Sequence, residues 1–99
     1  MRETDTDEPI VSATKDAVAC EFGKGLALFD VKSNVYYSLN GVGAYIWRLV
    51  QEPRSTSEIC EAVLSRYKVE PARCRADVEA LLKGLAKAGL IRLHHEELV

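Results

Sequence analysis

The hydrophobic pattern of the first half of the chain has the period of β-strands. Val18, Cys20 and Phe22 alternate with residues that are smaller or charged, and a strand places alternate side chains on opposite faces. Two short apolar runs follow, and the second of them is rich in β-branched and aromatic residues. The pattern predicts a three-stranded antiparallel meander over residues 17–39.

Two turns separate the predicted strands. The first is Gly23-Lys24-Gly25, because glycine tolerates a positive φ. The second covers residues 30–34, where Asn34 suits a left-handed position. Connections this short favour strands that are neighbours in the sheet.

After the third strand the apolar spacing changes to that of helices. Residues at spacings of three, one, three and one predict a first helix over residues 41–51, with Asn40 as its N-cap. Ser55 and Glu58 have the spacing of a capping box at the start of a second helix, and Pro71 suits the first turn of a third. Gly89 has the character of a residue that closes a helix in the αL conformation.

The order of elements is three strands followed by three helices, an α+β arrangement. Two helices joined by a short turn and attached to a sheet are typical of a winged helix-turn-helix, here in permuted order. We expect residues 16–93 to form this domain. Residues 1–15, apart from a short edge contact at Ile10 and Val11, are expected to be a mobile tail, and residues 94–99 a frayed end.

Composition narrows the classes of function. The chain has 99 residues, is 47% hydrophobic and 28% charged, and has a formal net charge of -2. It lacks the strong positive charge of a nucleic-acid binder, an apolar run long enough to span a membrane, and the basic, apolar start of a secretory signal. We therefore expect a cytoplasmic protein without a nucleic-acid or membrane partner. DNA binding remains an alternative, because the third helix has a modest excess of basic residues.

No set of residues indicates catalysis. His94 and His95 are adjacent near the chain end, and neither is placed to serve as a tuned general base. The glycine pairs lack the remaining residues of a phosphate-binding loop. Cysteines 20, 60 and 74 are widely spaced and are expected to be small buried apolar residues. The sequence therefore predicts a protein that is not an enzyme and has no metal site and no cofactor.

The third predicted strand is the most suggestive surface. It contains neither charge nor proline, the residues that commonly protect a sheet edge from pairing with other chains. If it lies at an edge, its backbone can accept a foreign strand, and self-pairing into a homodimer through the edge or a domain swap is a further alternative. The odd-numbered members face the core and the even-numbered ones the other side; the strand consists of Val35, Tyr36, Tyr37, Ser38 and Leu39.

Several ordered motifs together resemble the PqqD-like family, the recognition elements for precursors of ribosomally synthesised, post-translationally modified peptides. The Tyr-Tyr-x-Leu-Asn and Ile-Trp pieces are most similar to the stand-alone leader-binding proteins of lasso-peptide clusters. The branch that serves pyrroloquinoline quinone synthesis usually has a Pro-Glu-Gly-type segment where this chain has Lys32-Ser33-Asn34-Val35. The motifs are Gly25-Leu-Ala-Leu-Phe-Asp30, Val35-Tyr-Tyr-Ser-Leu-Asn40, Gly43-Ala-Tyr-Ile-Trp47, Ser55-Thr-Ser-Glu-Ile59, Asp77-Val78, Leu81-Leu82, Leu85 and Gly89-Leu90.

The resemblance implies a function. Such domains bind the leader of a precursor peptide as an added strand beside the third strand, in a cleft walled by the third helix. They then present the precursor to a modifying enzyme, a leader peptidase or a radical SAM protein. Carried over to this chain, the strand of residues 35–39 supplies the backbone, and Arg73 and Arg75 meet acidic leader residues. The helix wall consists of Asp77, Val78, Leu81 and Leu82.

Overall fold

The computed structural model describes residues 9–23 and 25–95, which form two three-stranded sheets and three helices. In chain order the elements are β1 (Pro9–Ala13), β2 (Ala17–Phe22), β3 (Gly25–Asp30), β4 (Val35–Asn40), α1 (Val42–Leu49), β5 (Arg54–Ser55), α2 (Thr56–Arg66), α3 (Pro71–Lys87) and β6 (Ile91–His95). None of the helices in these ranges is long and apolar enough to cross a membrane.

The predicted meander is confirmed as the sheet β2-β3-β4. Both pairs of neighbours are antiparallel, and Leu28 lies opposite Tyr37 in the centre of the β3–β4 ladder. The turn residues have the expected backbone, with φ of 53° at Gly23 and 66° at Asn34. Asp30 supports the second turn by accepting hydrogen bonds from the Lys32 N–H and the Ser33 hydroxyl.

A second sheet, β5-β1-β6, differs from the sequence analysis, which assigned residues 1–15 to a mobile tail. β1 pairs antiparallel with both neighbours, and Val11 has Arg54 on one side and Leu93 on the other. The side chain of Val11 is completely buried. The segment is too short to show a periodic pattern in the sequence. The burial of Val11 and the pairing of β1 with β5 and β6 nevertheless stabilise it as a strand. The remainder of the predicted tails, residues 1–8 and 96–99, lies outside the described residues.

The helix boundaries follow the sequence signals, with one exception. α2 has the predicted capping box, in which the Ser55 side chain accepts from the Glu58 N–H and the Glu58 carboxylate accepts from the Ser55 N–H. α3 begins at Pro71, and Gly89 follows it with a φ of 83°. The prediction of Asn40 as N-cap of α1 is wrong, because this residue still pairs in β4 and Gly41 is the N-cap.

The core lies between the inner faces of β3 and β4, the three helices, and the buried residues Val11, Leu90 and Ile91. Leu28, Ile46, Ile59 and Leu85 are almost completely removed from solvent. Trp47, 5% exposed, packs in the same cluster. This arrangement is the α+β fold predicted from the element order, and it leaves β4 beside α3.

The three cysteines do not share one environment. Cys60 and Cys74 are buried between α2 and α3, as predicted, and the Cys74 thiol lies 3.9 Å from the Cys60 carbonyl oxygen. Burial raises the pKa of the Cys60 thiol, and the neighbouring Cys74 raises it further. Cys20 is exposed, so the prediction of burial is wrong there. Its side chain belongs to the outer face of β2, which no described element covers.

Candidate functional site

A mostly apolar groove runs between β4 and the first half of α3. Its volume is about 320 Å³. α1 contributes to its floor, and residues from the end of α2 to the start of α3 close its far end. The lining residues are Ser38, Leu39, Val42, Gly43, Ile46, Val63, Val69, Cys74, Asp77, Val78 and Leu81.

β4 presents a free edge beside this groove. It pairs with β3 on one side, and no described strand pairs with its other side. The carbonyl oxygen of Leu39 lies only 2.9 Å from the position that a Cβ at Gly25 would take, so it points towards β3. The direction of backbone polar groups alternates along an antiparallel strand. The N–H and C=O groups of Tyr36 and Ser38 therefore point away from the sheet, towards an incoming strand.

The side chains of β4 alternate as the sequence predicted. Leu39 is 6% exposed and reaches the core, and Val35 and Tyr37 on the same face are half-buried. The Tyr37 hydroxyl donates to the carbonyl oxygen of Gly84 in α3 at 3.3 Å. Tyr36 points outwards and is 64% exposed.

The α3 wall contains three of the four residues carried over to it. Asp77, Val78 and Leu81 line the groove, Val78 at its buried base and Asp77 at its exposed rim. Leu82 is 3% exposed and packs into the core instead. A residue only one position away along a helix faces a different direction, which explains the separation of Leu81 from Leu82.

The two arginines of α3 do not line the groove. Arg73 lies 3.7 Å from the Asp77 carboxylate, and Arg75 lies 2.9 Å from Glu79. Arg75 also donates to the Ser57 hydroxyl at 3.3 Å. Both pairs have the i, i+4 spacing that brings side chains together on a helix surface. Arg73 contacts the groove residue Asp77 at the rim.

Six groove residues were not predicted from the sequence: Val42, Gly43, Ile46, Val63, Val69 and Cys74. Most of them belong to the apolar stripes of the helices. A stripe of this kind indicates that a face is covered by protein, and it does not distinguish the core from a groove. Val69 offers a local sequence signal, because it is an apolar residue in the connection between α2 and α3. In the structure it is 41% exposed.

The outer face of the β2-β3-β4 sheet carries a second apolar surface, which we call the outer patch and define as Val18, Phe22, Phe29 and Tyr36. Val18, Phe29 and Tyr36 lie directly opposite one another across the three strands. Their exposed fractions are 54%, 37% and 64%, and that of Phe22 is 51%. Large exposed apolar patches of soluble proteins commonly mark interaction sites.

Solved structures with the same architecture include two complexes. TbiB1 in complex with the TbiA(beta) leader peptide is 25% identical, has a TM-score of 0.75, and the match covers 82% of this chain and 94% of that chain. Lasso peptide synthetase B1 complexed with the leader peptide is 23% identical and has a TM-score of 0.72, and the match covers 83% of this chain and 96% of that chain. This likeness concerns the fold alone.

None of the curated proteins matches the chain. The sequence model of one family does, and the match extends from residue 25 to residue 91. It begins with β3, includes β4 and all three helices, and ends in β6. Because both walls of the groove fall within a match of about two thirds of the sequence, the chain belongs to the family of coenzyme PQQ synthesis protein D (PqqD).

Proposed function

We propose that this protein binds the leader region of a ribosomally synthesised precursor peptide as an additional strand on β4. The observation that carries the proposal is the free edge of β4 beside an apolar groove. An added strand satisfies outward backbone groups at Tyr36 and Ser38, while its alternate side chains enter the groove. The TbiB1 structure supports this function, because it is a complex with a leader peptide and has the same fold.

The energetics are consistent with such a role. Each main-chain hydrogen bond contributes about 1 kcal/mol net, and apolar side chains buried in the groove contribute roughly 25 cal/mol per Å². Ordering of the leader opposes both contributions. The groove itself is preformed by β4, α1 and α3, so that the protein loses little conformational freedom on binding.

Charge favours a peptide over nucleic acid. Arg73 and Arg75 are each close to a carboxylate of the same helix, and Asp77 adds a negative charge to the rim of the groove. Binding of a phosphate backbone relies on clustered basic residues with few acidic neighbours. We therefore favour leader binding over the winged-helix alternative.

Selection of peptides tests this proposal directly. A phage library of random 12-residue peptides is selected on the intact protein, and bound sequences are eluted, synthesised and measured by calorimetry. We expect an enriched peptide, called the selected peptide below, whose binding requires the β4 edge. The proposal would be contradicted if the enriched peptides bind independently of β4, or if no peptide is enriched.

Replacement of Ser38 by proline provides the edge-specific variant. Proline removes the outward N–H and places its ring where the added strand must lie, so we expect the affinity for the selected peptide to fall by tenfold or more, about 1.4 kcal/mol. Ser38→Ala controls for the hydroxyl. Ala19→Pro is the matched backbone control, since its N–H points away from β3 at the opposite edge of the sheet. Both controls should bind normally.

We further propose that the protein is not itself a catalyst and delivers the bound leader to a modifying enzyme through the outer patch. An added strand on β4 extends the same sheet, so that its outward side chains continue the row of Val18, Phe29 and Tyr36. An enzyme that contacts this surface touches protein and leader together. The feature that supports this role is the continuous row of exposed side chains formed by Val18, Phe29 and Tyr36.

A charge in the outer patch should separate delivery from binding. In Phe29→Glu, we expect unchanged affinity for the selected peptide and a loss of at least tenfold in processing of a precursor by a leader peptidase or radical SAM protein that acts together with the wild-type protein. Desolvation of the new carboxylate opposes the contact. Lys32→Glu, an exposed charge reversal in the β3–β4 turn, is the control. Equal processing by Phe29→Glu and wild-type protein would count against this surface.

Self-pairing through β4 is the competing use of the edge. Light scattering with and without the selected peptide distinguishes the two, since a dimer held by this edge should dissociate as the peptide binds. A dimer that persists in the saturated complex would assign the contact to another surface.

A further inference from the structure

The two inward side chains at the middle and end of β4 each meet a glycine in a helix. The Tyr37 hydroxyl donates to the Gly84 carbonyl oxygen of α3 at 3.3 Å, and a Cβ at Gly84 would lie 3.1 Å from that hydroxyl oxygen. A Cβ at Gly43 in α1 would lie 3.3 Å from Cδ2 of Leu39. β4 therefore contacts both helices that border the groove, through Leu39 at α1 and through the Tyr37 side chain at α3.

Neither glycine is required by its backbone. The described glycines with positive φ are Gly23, Gly41 and Gly89, so Gly43 and Gly84 have dihedral angles open to any residue. Glycine inside a helix is unfavourable relative to alanine, because it loses more conformational freedom on folding. The cost at Gly84 has a visible reason in the space that the Tyr37 hydroxyl occupies.

This contact lies at the end of the groove. Gly84 follows the wall residue Leu81 by three positions, and so lies on the same side of α3 one turn further along. On the other wall, Tyr37 immediately precedes Ser38. The distance between the two walls next to Ser38 and Leu81 is thus fixed by the length of one tyrosine side chain against a bare helix backbone.

We propose that Tyr37 and Gly84 form a spacer that sets the width of the leader groove. This inference rests on the proposed function and adds a specificity role to it. Tyr37 is a positioning residue, since its backbone groups point towards β3 and its hydroxyl is bonded to α3. The spacer admits an added strand and one layer of side chains at this end, and a change of a few tenths of an ångström between the walls alters the fit.

A thermal double-mutant cycle tests the contact itself. Gly84→Ala increases helix propensity, and this gain should appear fully only when the hydroxyl is absent. We expect Tyr37→Phe/Gly84→Ala to melt about 4 to 8 °C above Tyr37→Phe. In the presence of Tyr37 the same glycine replacement should raise the melting temperature by less than half of that. Equal shifts in the two backgrounds would overturn the spacer.

Binding of the selected peptide tests the role in the groove. Gly84→Ala should weaken binding by about tenfold in the wild-type background, because the new methyl group displaces the hydroxyl and shifts α3 from β4. In the Tyr37→Phe background the same replacement should leave the affinity unchanged. Ala80→Gly, on the exposed side of α3, is the control, since it should lower stability without affecting the affinity.

The two measurements separate failure of this inference from failure of the proposed function. If the wild-type protein selects a peptide on β4 and Gly84→Ala binds it equally well, the spacer does not control the groove and the inference is wrong. If no peptide is selected on β4, the proposed function is wrong and the role in the groove falls with it. The thermal cycle then still reports on the Tyr37–Gly84 contact.

Discussion

At the scale of single residues, position in the sheet decides the environment more than residue type does. Cys20 and Cys60 both occur in apolar sequence patterns, and only Cys60 is buried. Cys20 shares the outer face of the sheet with Val18 and Phe22, where the described chain supplies no covering layer. An apolar side chain in an alternating strand indicates a face, and the tertiary structure decides whether that face is covered.

The thiols should report this difference. We expect native protein to react with iodoacetamide at Cys20 within minutes at pH 8, while Cys60 reacts at least tenfold more slowly. Burial raises the pKa of Cys60, so its alkylation should shift to lower pH when the chain is unfolded in urea. Peptide mapping by mass spectrometry measures each site. Equal rates for Cys60 in folded and unfolded protein would refute its burial.

At the scale of elements, local signals are strongest where a side chain accepts a hydrogen bond from the backbone of a residue a few positions away. Ser55 and Glu58 satisfy each other's N–H groups at the start of α2, which requires only four consecutive residues. α1 has no such cap, because Asn40 remains in the β4 ladder and Gly41 turns the chain with a φ of 50°. Pairing of Asn40 with Gly25 in the β3–β4 ladder therefore overrides a good capping residue.

Removal of the α2 cap should cost stability. We expect Ser55→Ala to lower the free energy of unfolding by about 1 kcal/mol, since the N–H of Glu58 loses its acceptor. Urea denaturation measures the change. Ser65→Ala in the last turn of the same helix is the control, because its hydroxyl bonds a carbonyl oxygen that water can also reach. A larger loss at Ser65 than at Ser55 would contradict the capping interpretation.

At the scale of the whole molecule, the two sheets have different roles. β2-β3-β4 supplies the free edge and the outer patch, whereas β5-β1-β6 joins the start of the described chain to its end. The Ala13 N–H donates to Val50 O and the Thr14 N–H to Leu90 O, which ties β1 to the ends of α1 and α3. The second sheet thus stabilises the helices without taking part in the groove.

Truncation of the central residue of β1 should separate stability from binding. We expect Val11→Ala to lower the free energy of unfolding by about 2 kcal/mol, because the side chain is fully buried. The affinity for the selected peptide should stay unchanged below the melting transition, since β1 does not line the groove. Val18→Ala, half exposed, is the control for stability. Loss of affinity in folded Val11→Ala would show coupling between the sheets.

Local sequence patterns account for β2, β3, β4 and the three helices, for the capping box of α2 and for the turn at Asn34. These features depend on neighbours within a few residues, where periodicity and backbone preference act directly. The lack of charged residues and proline in residues 35–39 also identified β4 as a possible docking edge. Of the eleven residues predicted for the site, Ser38, Leu39, Asp77, Val78 and Leu81 line the groove.

Which apolar faces are covered depends on packing between elements and has no local sequence signal. The groove floor at Ile46 and Val63 and the core at Leu82 come from similar helical stripes, and packing against other elements separates them. β1 is too short to show a periodic hydrophobic pattern. Its two ladders are made with β5 and β6, which lie far away in the sequence. Contacts between residues far apart in sequence leave no local pattern, and they decide where the free edge meets the groove.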